Sequence, residues 1–343
     1  MSHRIGKMRI HGFVDLQING CCGVDFSSPM LTEEEFLYAA KRIVSDGTAL
    51  FLPTLITSSL SVYRKNLSLI SRCCEKAGFA KRIPGFHLEG PFLSSLEGAR
   101  GVHDPEWIHP PDVEMLKTLH DFAEGKIRLL TIAADQDGVE PLIRWAVDHG
   151  ITVALGHHMA EQAHLERAAR AGARALTHLG NGVPEFLPRH ENPIWAGLAC
   201  EALSAMIITD GHHLPDSLIK TFLRVKGEKN VIITSDASPL AGLKPGTYTS
   251  MGQRVTLEES GRIVNPEKGC LAGSSLLIRA CMNHLWANEL LEYDELLRVG
   301  FSNPLNLVSI DPDSVPDEPL LEVDGKNRRF TARRGGYTSD TNG

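Results

Sequence analysis

Short apolar runs alternate with longer amphipathic stretches along most of this chain. The runs at residues 8–15, 49–55, 83–88, 127–133, 152–155, 174–177, 205–209 and 231–234 read as strands. Between them, residues 32–45, 61–76, 111–122, 139–149, 160–171 and 215–226 repeat apolar positions at helical spacing. Gly150 and Gly172 follow two of these stretches, where a left-handed C-terminal cap belongs. Eight strands alternating with helices predict a parallel sheet, and the count fits a closed (β/α)8 barrel. An open doubly wound sheet is the alternative, disfavoured because no GxGxxG follows the first strand. The barrel is expected to end near Asp236, with a loop over 237–269 and a helix from about Ser274. Residues 1–310 would then form one barrel, and residues 311–343 a short polar tail, ordered in part at most.

Composition narrows the class. Of 343 residues, 42% are hydrophobic and 22% charged, enough apolar surface for a large core and too much for a disordered chain. No apolar run reaches the roughly 18 residues of a membrane span. The opening residues lack the apolar segment of a secretory signal, so a cytoplasmic protein is expected. A net charge of −7 argues against nucleic acid as the partner, while leaving room for a local basic group that binds a small anion. The seven cysteines include the adjacent pairs Cys21-Cys22 and Cys73-Cys74 and no CxxC, which is neither a disulfide framework nor a structural zinc pattern.

The chemistry lies where the apolar runs stop. The first run leads into Asp15-Leu16-Gln17-Ile18-Asn19, and the third ends in His87-Leu88-Glu89-Gly90-Pro91. The fifth ends in Gly156-His157-His158 and the sixth in His178-Leu179-Gly180-Asn181. The seventh ends in Asp210-Gly211-His212-His213, and the eighth in Ser235-Asp236. In a barrel all strand C-termini face one mouth, so six of eight strands deliver polar side chains to a single place. Glu89, His157 and His178 together offer one carboxylate and two imidazoles, a set suited to a divalent ion of the zinc or iron(II) type. Such an ion lowers the pKa of a bound water to about 7, and Asp236 would move its proton. His103 and His213, on loops after the third and seventh strands, could hydrogen-bond a carbonyl or hydroxyl, or could simply be solvated. Arg189 is a candidate for an anionic substrate group. The segment Leu271-Ala272-Gly273-Ser274-Ser275 could offer backbone N–H groups to an anion at a helix start.

The segments HGFVDLQINGCCGVDFSS, GFHLEGPFLS, GARGVHDPE, GHHMA, THLGNGVP, TDGHHLP, TSDASPLAG and LAGSS stand in one order. In that order they resemble the N-acetylglucosamine-6-phosphate deacetylases, amidohydrolase-superfamily barrels. The likeness runs from about residue 11 to 310. It implies Glu89, His157 and His178 as ligands of one divalent metal ion, with zinc expected first and iron(II), manganese or cobalt as alternatives. It implies Asp236 as general base and then acid, and His103 as the group that polarises the acetyl carbonyl. His213 would meet a sugar hydroxyl. Asn181, Gly182 and Ala272 would line the substrate site, Asn181 and Gly182 near its phosphate. Arg189 would pair with that phosphate, from a neighbouring subunit in known members. Gln17 and Asn19 stand where other superfamily members carry His-x-His, so a single metal is expected.

Three departures accompany the likeness. Gly180-Asn181-Gly182-Val183 replaces the usual Tyr-Asn-Ala-Met, and Arg189 sits in FLPRHENP in place of Gly-Arg-x-Pro-Gly. The β-sandwich built from both termini in family members is expected to be missing or vestigial, which leaves a homodimer open. The resemblance implies hydrolysis of the acetamide of N-acetylglucosamine 6-phosphate. The alternatives are N-acetylgalactosamine 6-phosphate, an N-acyl amino acid, or an amino-sugar-binding barrel without turnover.

Overall fold

The computed structural model describes residues 8–267, 269–318 and 320–333. Eight parallel strands stand in sequence order: β1 Phe13–Ile18, β2 Thr48–Ile56, β3 Phe86–Glu89, β4 Ile127–Ile132, β5 Thr152–Leu155, β6 Ala175–Leu176, β7 Ser204–Ile208 and β8 Val231–Thr234. Helices α1 Glu33–Ser45, α2 Leu60–Lys76, α3 Val113–Phe122, α4 Val139–Asp148, α5 Gln162–Ala171, α6 Pro193–Ala199, α7 Asp216–Lys226 and α8 Ile278–Ala287 cover the strands outside. This is the (β/α)8 barrel expected from the alternation. Both faces of its strands are enclosed, so the strands are apolar almost throughout and buried.

The seam between β1 and β8 is closed by a side chain more than by a ladder. Asp15 Oδ1 accepts from Thr234 Oγ1 at 2.8 Å and from the Ser235 N–H at 3.1 Å, and one parallel bridge joins Ile18 to Ala237. Asp15 is fully buried, and that burial pushes its carboxyl up to about 6.

Local signals explain the helix starts. Thr32 and Glu35 form a reciprocal capping box on α1, and the Asp112 carboxylate accepts from two N–H groups of α3. At the end of α5, Gly172 adopts φ +118, the left-handed cap its position suggests. Helix α6 was not expected, although Asn192-Pro193 spells an N-cap followed by an N1 proline. The segment 237–269 is not only loop. It carries a four-stranded antiparallel sheet: β9 Gly246–Ser250, β10 Gln253–Leu257, β11 Ile263–Asn265 and β12 Cys270–Leu271.

The run at residues 8–15 is also not one strand. Met8–Ile10 leaves the barrel and pairs antiparallel with Leu321–Asp324, which pairs in turn with Arg329–Ala332. The break falls at Gly12, φ +125, where a Cβ would lie 2.3 Å from the Gly47 carbonyl oxygen. This three-stranded sheet stands where a terminal sandwich was expected to be missing or vestigial. The tail therefore contributes to the fold up to Arg333, and residues 334–343 lie outside the described residues. Phe330 is fully buried, edge-on to Phe13 at 4.9 Å and 4.7 Å from Trp286. Phe13 opens β1, so this apolar plug closes the barrel at the end opposite the strand C-termini.

Candidate active site

At the other end, Glu89 closes β3, His157 follows β5, His178 follows β6 and Asp236 follows β8. Glu89 Oε1 lies 3.2 Å from His157 Nε2 and 3.0 Å from His178 Nε2, and the two nitrogens are 3.0 Å apart. All three residues are buried. His157 Nδ1 faces the Ala99 carbonyl at 2.7 Å; a carbonyl only accepts, so Nδ1 carries the proton and Nε2 presents a lone pair. A four-coordinate zinc holds its ligand atoms about 3.3 Å apart. The tripod therefore fits a divalent cation in both spacing and donor set. Burial pushes the Glu89 carboxyl up, but the His157 and His178 rings beside it outweigh that and hold the group well below the usual carboxylate range.

The backbone beneath this tripod is strained. His157, His178 and Asp236 take φ +53, +31 and +50, a left-handed region that costs such residues roughly 1–3 kcal/mol each. Gly182, φ +64, explains how the rings fit together. A Cβ there would lie 2.9 Å from His178 Cε1 and 3.1 Å from His157 Nδ1. Where the resemblance implies alanine, this chain has the one residue that leaves room for both rings.

Gln17 and Asn19 act from below. Gln17 Nε2 donates to Glu89 Oε1 at 2.8 Å, and Asn19 Nδ2 donates to Asp236 Oδ1 at 2.8 Å. Gln17 is fully buried and does not line the cavity; its amide is spent on Glu89. Burial first, and then the charge of Glu89, push the Asp236 carboxyl up to about 7. His103 Nδ1 pairs with Thr57 Oγ1 at 3.0 Å, and its Nε2 stands 3.9 Å from Glu89 Oε2. His213 Nδ1 meets Asp210 Oδ2 at 2.8 Å. Burial pushes Asp210 up, but the His213 bond outweighs it and holds the carboxyl below its usual range. His213 is thereby oriented by an aspartate that sequence reasoning had only noted.

A cavity of about 560 Å³ opens over these groups. Asn19, Glu89, His103, His157, His178, Asn181, Gly182, His213 and Asp236 all line it. Ala272 does not, and Arg189, which the resemblance places on a neighbouring subunit's site, is not on this chain's own cavity wall. Arg189 is exposed, its carbonyl accepting from the Trp195 indole at 3.1 Å. Ala272 is buried and spends its N–H on the Ile263 carbonyl at 3.1 Å, while Ser274 N–H goes to the Asp236 carbonyl at 2.9 Å. The helix begins only at Ile278, so the segment 271–275 offers no free helix start to an anion. Among the further residues on the cavity wall are Met251, in the turn between β9 and β10, and Arg262, in the turn before β11, both brought there by the unexpected sheet. His158, the neighbour of His157, is turned away. Its Nδ1 accepts from the Ala160 N–H at 3.1 Å, and burial pulls its pKa down to about 4.

A parallel barrel with a carboxylate and two imidazoles converging at its C-terminal mouth, and an aspartate after the last strand, defines a metal-dependent hydrolase of the amidohydrolase type. The chain is 33% identical over 277 residues to an N-acetylglucosamine-6-phosphate deacetylase of Bacillus subtilis, covering 80% of this chain and 68% of that protein. A human protein of the same name is 30% identical, covering 89% and 76%. An N-acetylgalactosamine-6-phosphate deacetylase of Escherichia coli O157:H7 is 26% identical, covering 91% and 81%. Among solved structures, the N-acetyl-D-glucosamine-6-phosphate deacetylase of Mycobacterium smegmatis superposes with a TM-score of 0.84 at 25% identity, covering 96% of this chain and 86% of that one. No protein-family model matches the chain. The chain belongs to the N-acetylglucosamine-6-phosphate deacetylase family.

Proposed function

We propose that this protein hydrolyses the acetamide of an N-acetylated hexosamine 6-phosphate, N-acetylglucosamine 6-phosphate first, to acetate and the free amine. The observation that carries this reading is the Glu89–His157–His178 tripod with Asp236 above it, at the mouth of a barrel of this family. When bound there, a divalent ion supplies a Lewis acid and makes hydroxide available near neutral pH. Zinc suits the donor set best, and iron(II), manganese and cobalt share the same preferences.

Asp236 takes the proton of the attacking water and returns it to the amide nitrogen as the C–N bond breaks. An amide nitrogen leaves poorly unless protonated, so the second transfer is as necessary as the first. Asn19, donating to Oδ1, leaves Oδ2 of Asp236 as the oxygen that carries the proton. With Thr57 donating to Nδ1, His103 turns an Nε2–H toward the acetyl carbonyl and stabilises charge developing on its oxygen. His213, fixed by Asp210, binds a sugar hydroxyl, and Asn181 and Gly182 line the sugar-phosphate side.

The test is acetate release from N-acetylglucosamine 6-phosphate by zinc-supplemented protein, alongside Asp236→Asn. Turnover that the variant loses supports the reading. A protein that binds zinc and releases no acetate from any N-acyl hexosamine overturns it. The E. coli relative supports a second reading, in which the galacto epimer is preferred. A kcat/KM ratio for the two epimers decides between them.

A further inference from the structure

The adjacent cysteines Cys21 and Cys22 take no part in the chemistry described so far, yet they sit one strap away from it. They stand at the turn of a short hairpin, Gly20–Cys21 against Val24–Asp25, directly beyond the end of β1. Cys21 is buried, whereas Cys22 and Cys270 are the two cysteines that are not. The Cys21 and Cys22 sulfurs lie 3.4 Å apart. Both residues line a cavity of about 180 Å³, shared with Arg42 and Asp46.

The two thiols differ in surroundings. Arg42, on α1, hydrogen-bonds the Cys22 sulfur, and that bond raises the arginine above its usual range. Asp46 does not compete for this guanidinium, since its carboxylate pairs with Arg279 at 2.6 Å. Cys21 Sγ reaches the Ala241 carbonyl at 3.6 Å, and burial, then the charge of Cys22, push its thiol far up. Cys22 carries φ +54, and a Cβ on Gly242 would stand 3.1 Å from its sulfur, so the loop after β8 closes tightly over the pair.

That loop is also the mounting of Asp236. Asn19 N–H donates to the Ala237 carbonyl at 2.8 Å, Cys22 N–H to the Ala241 carbonyl at 2.8 Å and Gly23 N–H to the Pro239 carbonyl at 2.7 Å. Residues 19–23 are thus strapped to the segment that follows Asp236. Asn19 holds Asp236 a second time, through its side chain on Oδ1.

We propose that Cys21 and Cys22 are a peroxide-sensitive modification site, closing to a disulfide that slows the reaction by displacing Asn19 from Asp236. The site itself rests on the sulfur geometry alone; the activity it controls rests on the deacetylase reading. Hydrogen peroxide is the oxidant. The Cys22 thiolate, with Arg42 as its partner, attacks one peroxide oxygen; the O–O bond breaks, a sulfenic acid forms and hydroxide leaves. The Cys21 sulfur then attacks the Cys22 sulfur. An S–S bond forms, the S–O bond breaks, and the Cys21 proton leaves with the hydroxyl as water. Two thiols are oxidised and one peroxide is reduced to two waters. The sulfurs must close from 3.4 Å to about 2.05 Å across a single peptide unit, which moves the strap that both residues carry.

The experiment treats zinc-loaded wild type, Cys22→Ser and Arg42→Gln with hydrogen peroxide, blocks remaining thiols with iodoacetamide and digests with trypsin. Peptide 10–41 contains Cys21 and Cys22 and no other cysteine. In wild type it is expected two hydrogens lighter and unalkylated, with kcat for acetate release from N-acetylglucosamine 6-phosphate lowered roughly 10- to 100-fold. Dithiothreitol restores both. Cys22→Ser keeps its kcat under the same treatment, and Arg42→Gln forms the disulfide more slowly. A peptide that keeps both thiols overturns the proposal, as does a disulfide that leaves kcat unchanged. Equal inactivation of Cys22→Ser also overturns it, and would point to Cys270 on the catalytic cavity wall.

A readout without turnover separates this proposal from the deacetylase reading. Hydrogen exchange at the Asn19 and Gly23 amides should be faster in the oxidised protein, because those amides make the strap. Unchanged exchange in a protein that carries the disulfide overturns the coupling to Asp236, whatever the substrate.

Discussion

The two ends of this barrel are built on opposite terms. At the base, Phe330 meets Phe13 edge-on and lies tilted against Trp286, and their contribution is burial. At the mouth, three side chains sit on left-handed backbone, two imidazole nitrogens converge at 3.0 Å, and carboxylates are buried beside them. Such strain persists only where surrounding structure over-determines it. The base and the closed sheet supply stability that the mouth spends on chemistry.

The sharpest way to separate the ends is Asp236→Asn. Its kcat for acetate release should fall by roughly 10²- to 10⁴-fold, while the thermal midpoint stays level or rises, since a buried carboxylate beside Glu89 is replaced by a neutral amide. The base should behave in the opposite sense. Phe330→Ala should lower unfolding free energy by about 3–5 kcal/mol in denaturant titration, with unchanged kcat per folded molecule. If Phe330→Ala also lost kcat, the ends would be coupled and the contrast would fail.

Asp15 lies between the two ends and titrates. Its folded pKa, about 6, stands above the ordinary 3.8, so the folded state holds its proton more tightly than the unfolded chain. The resulting stabilisation is complete below pH 3.8 and is lost as pH rises through 6. Over that window it amounts to about 3 kcal/mol. Asp15→Asn should remove this component from the difference between stability–pH curves, and identical slopes would show that Asp15 is not its source. The smallest effect expected is at Gly182. Gly182→Ala crowds His157 and His178, and should weaken zinc binding roughly 10-fold in chelator competition while moving the thermal midpoint little. A large drop in midpoint with unchanged zinc affinity would place Gly182 with the base in function.

Much of this was legible in the residues. Period and count gave the barrel, because strands enclosed on both faces must be apolar and helices must be amphipathic. The ends of those runs gave Glu89, His157, His178 and Asp236, because a parallel barrel gathers strand C-termini at one mouth. What escaped is instructive. Met8–Ile10 continues the apolar run of β1 without a break in pattern, and only the pairing with Leu321–Asp324 shows that it belongs to another sheet. The inserted sheet β9–β12 is short and partly exposed, so its alternation is weak. Arg262 was invisible with it.

Local pattern, then, determined which elements form and which side chains stand at their ends, since both follow from the chain's own periodicity. Tertiary structure alone decided which neighbour of a pair faces inward, as with His157 and His158. It alone decided that Gln17 donates to Glu89 and stays off the cavity wall, and that Arg262 lines the cavity. Those are relations between residues 72, 58 or 14 positions apart, as in Gln17 to Glu89, His157 to Ala99 and Gly261 to Ser275. No local periodicity encodes such distances; they exist only once closure of the barrel has brought the strand ends together.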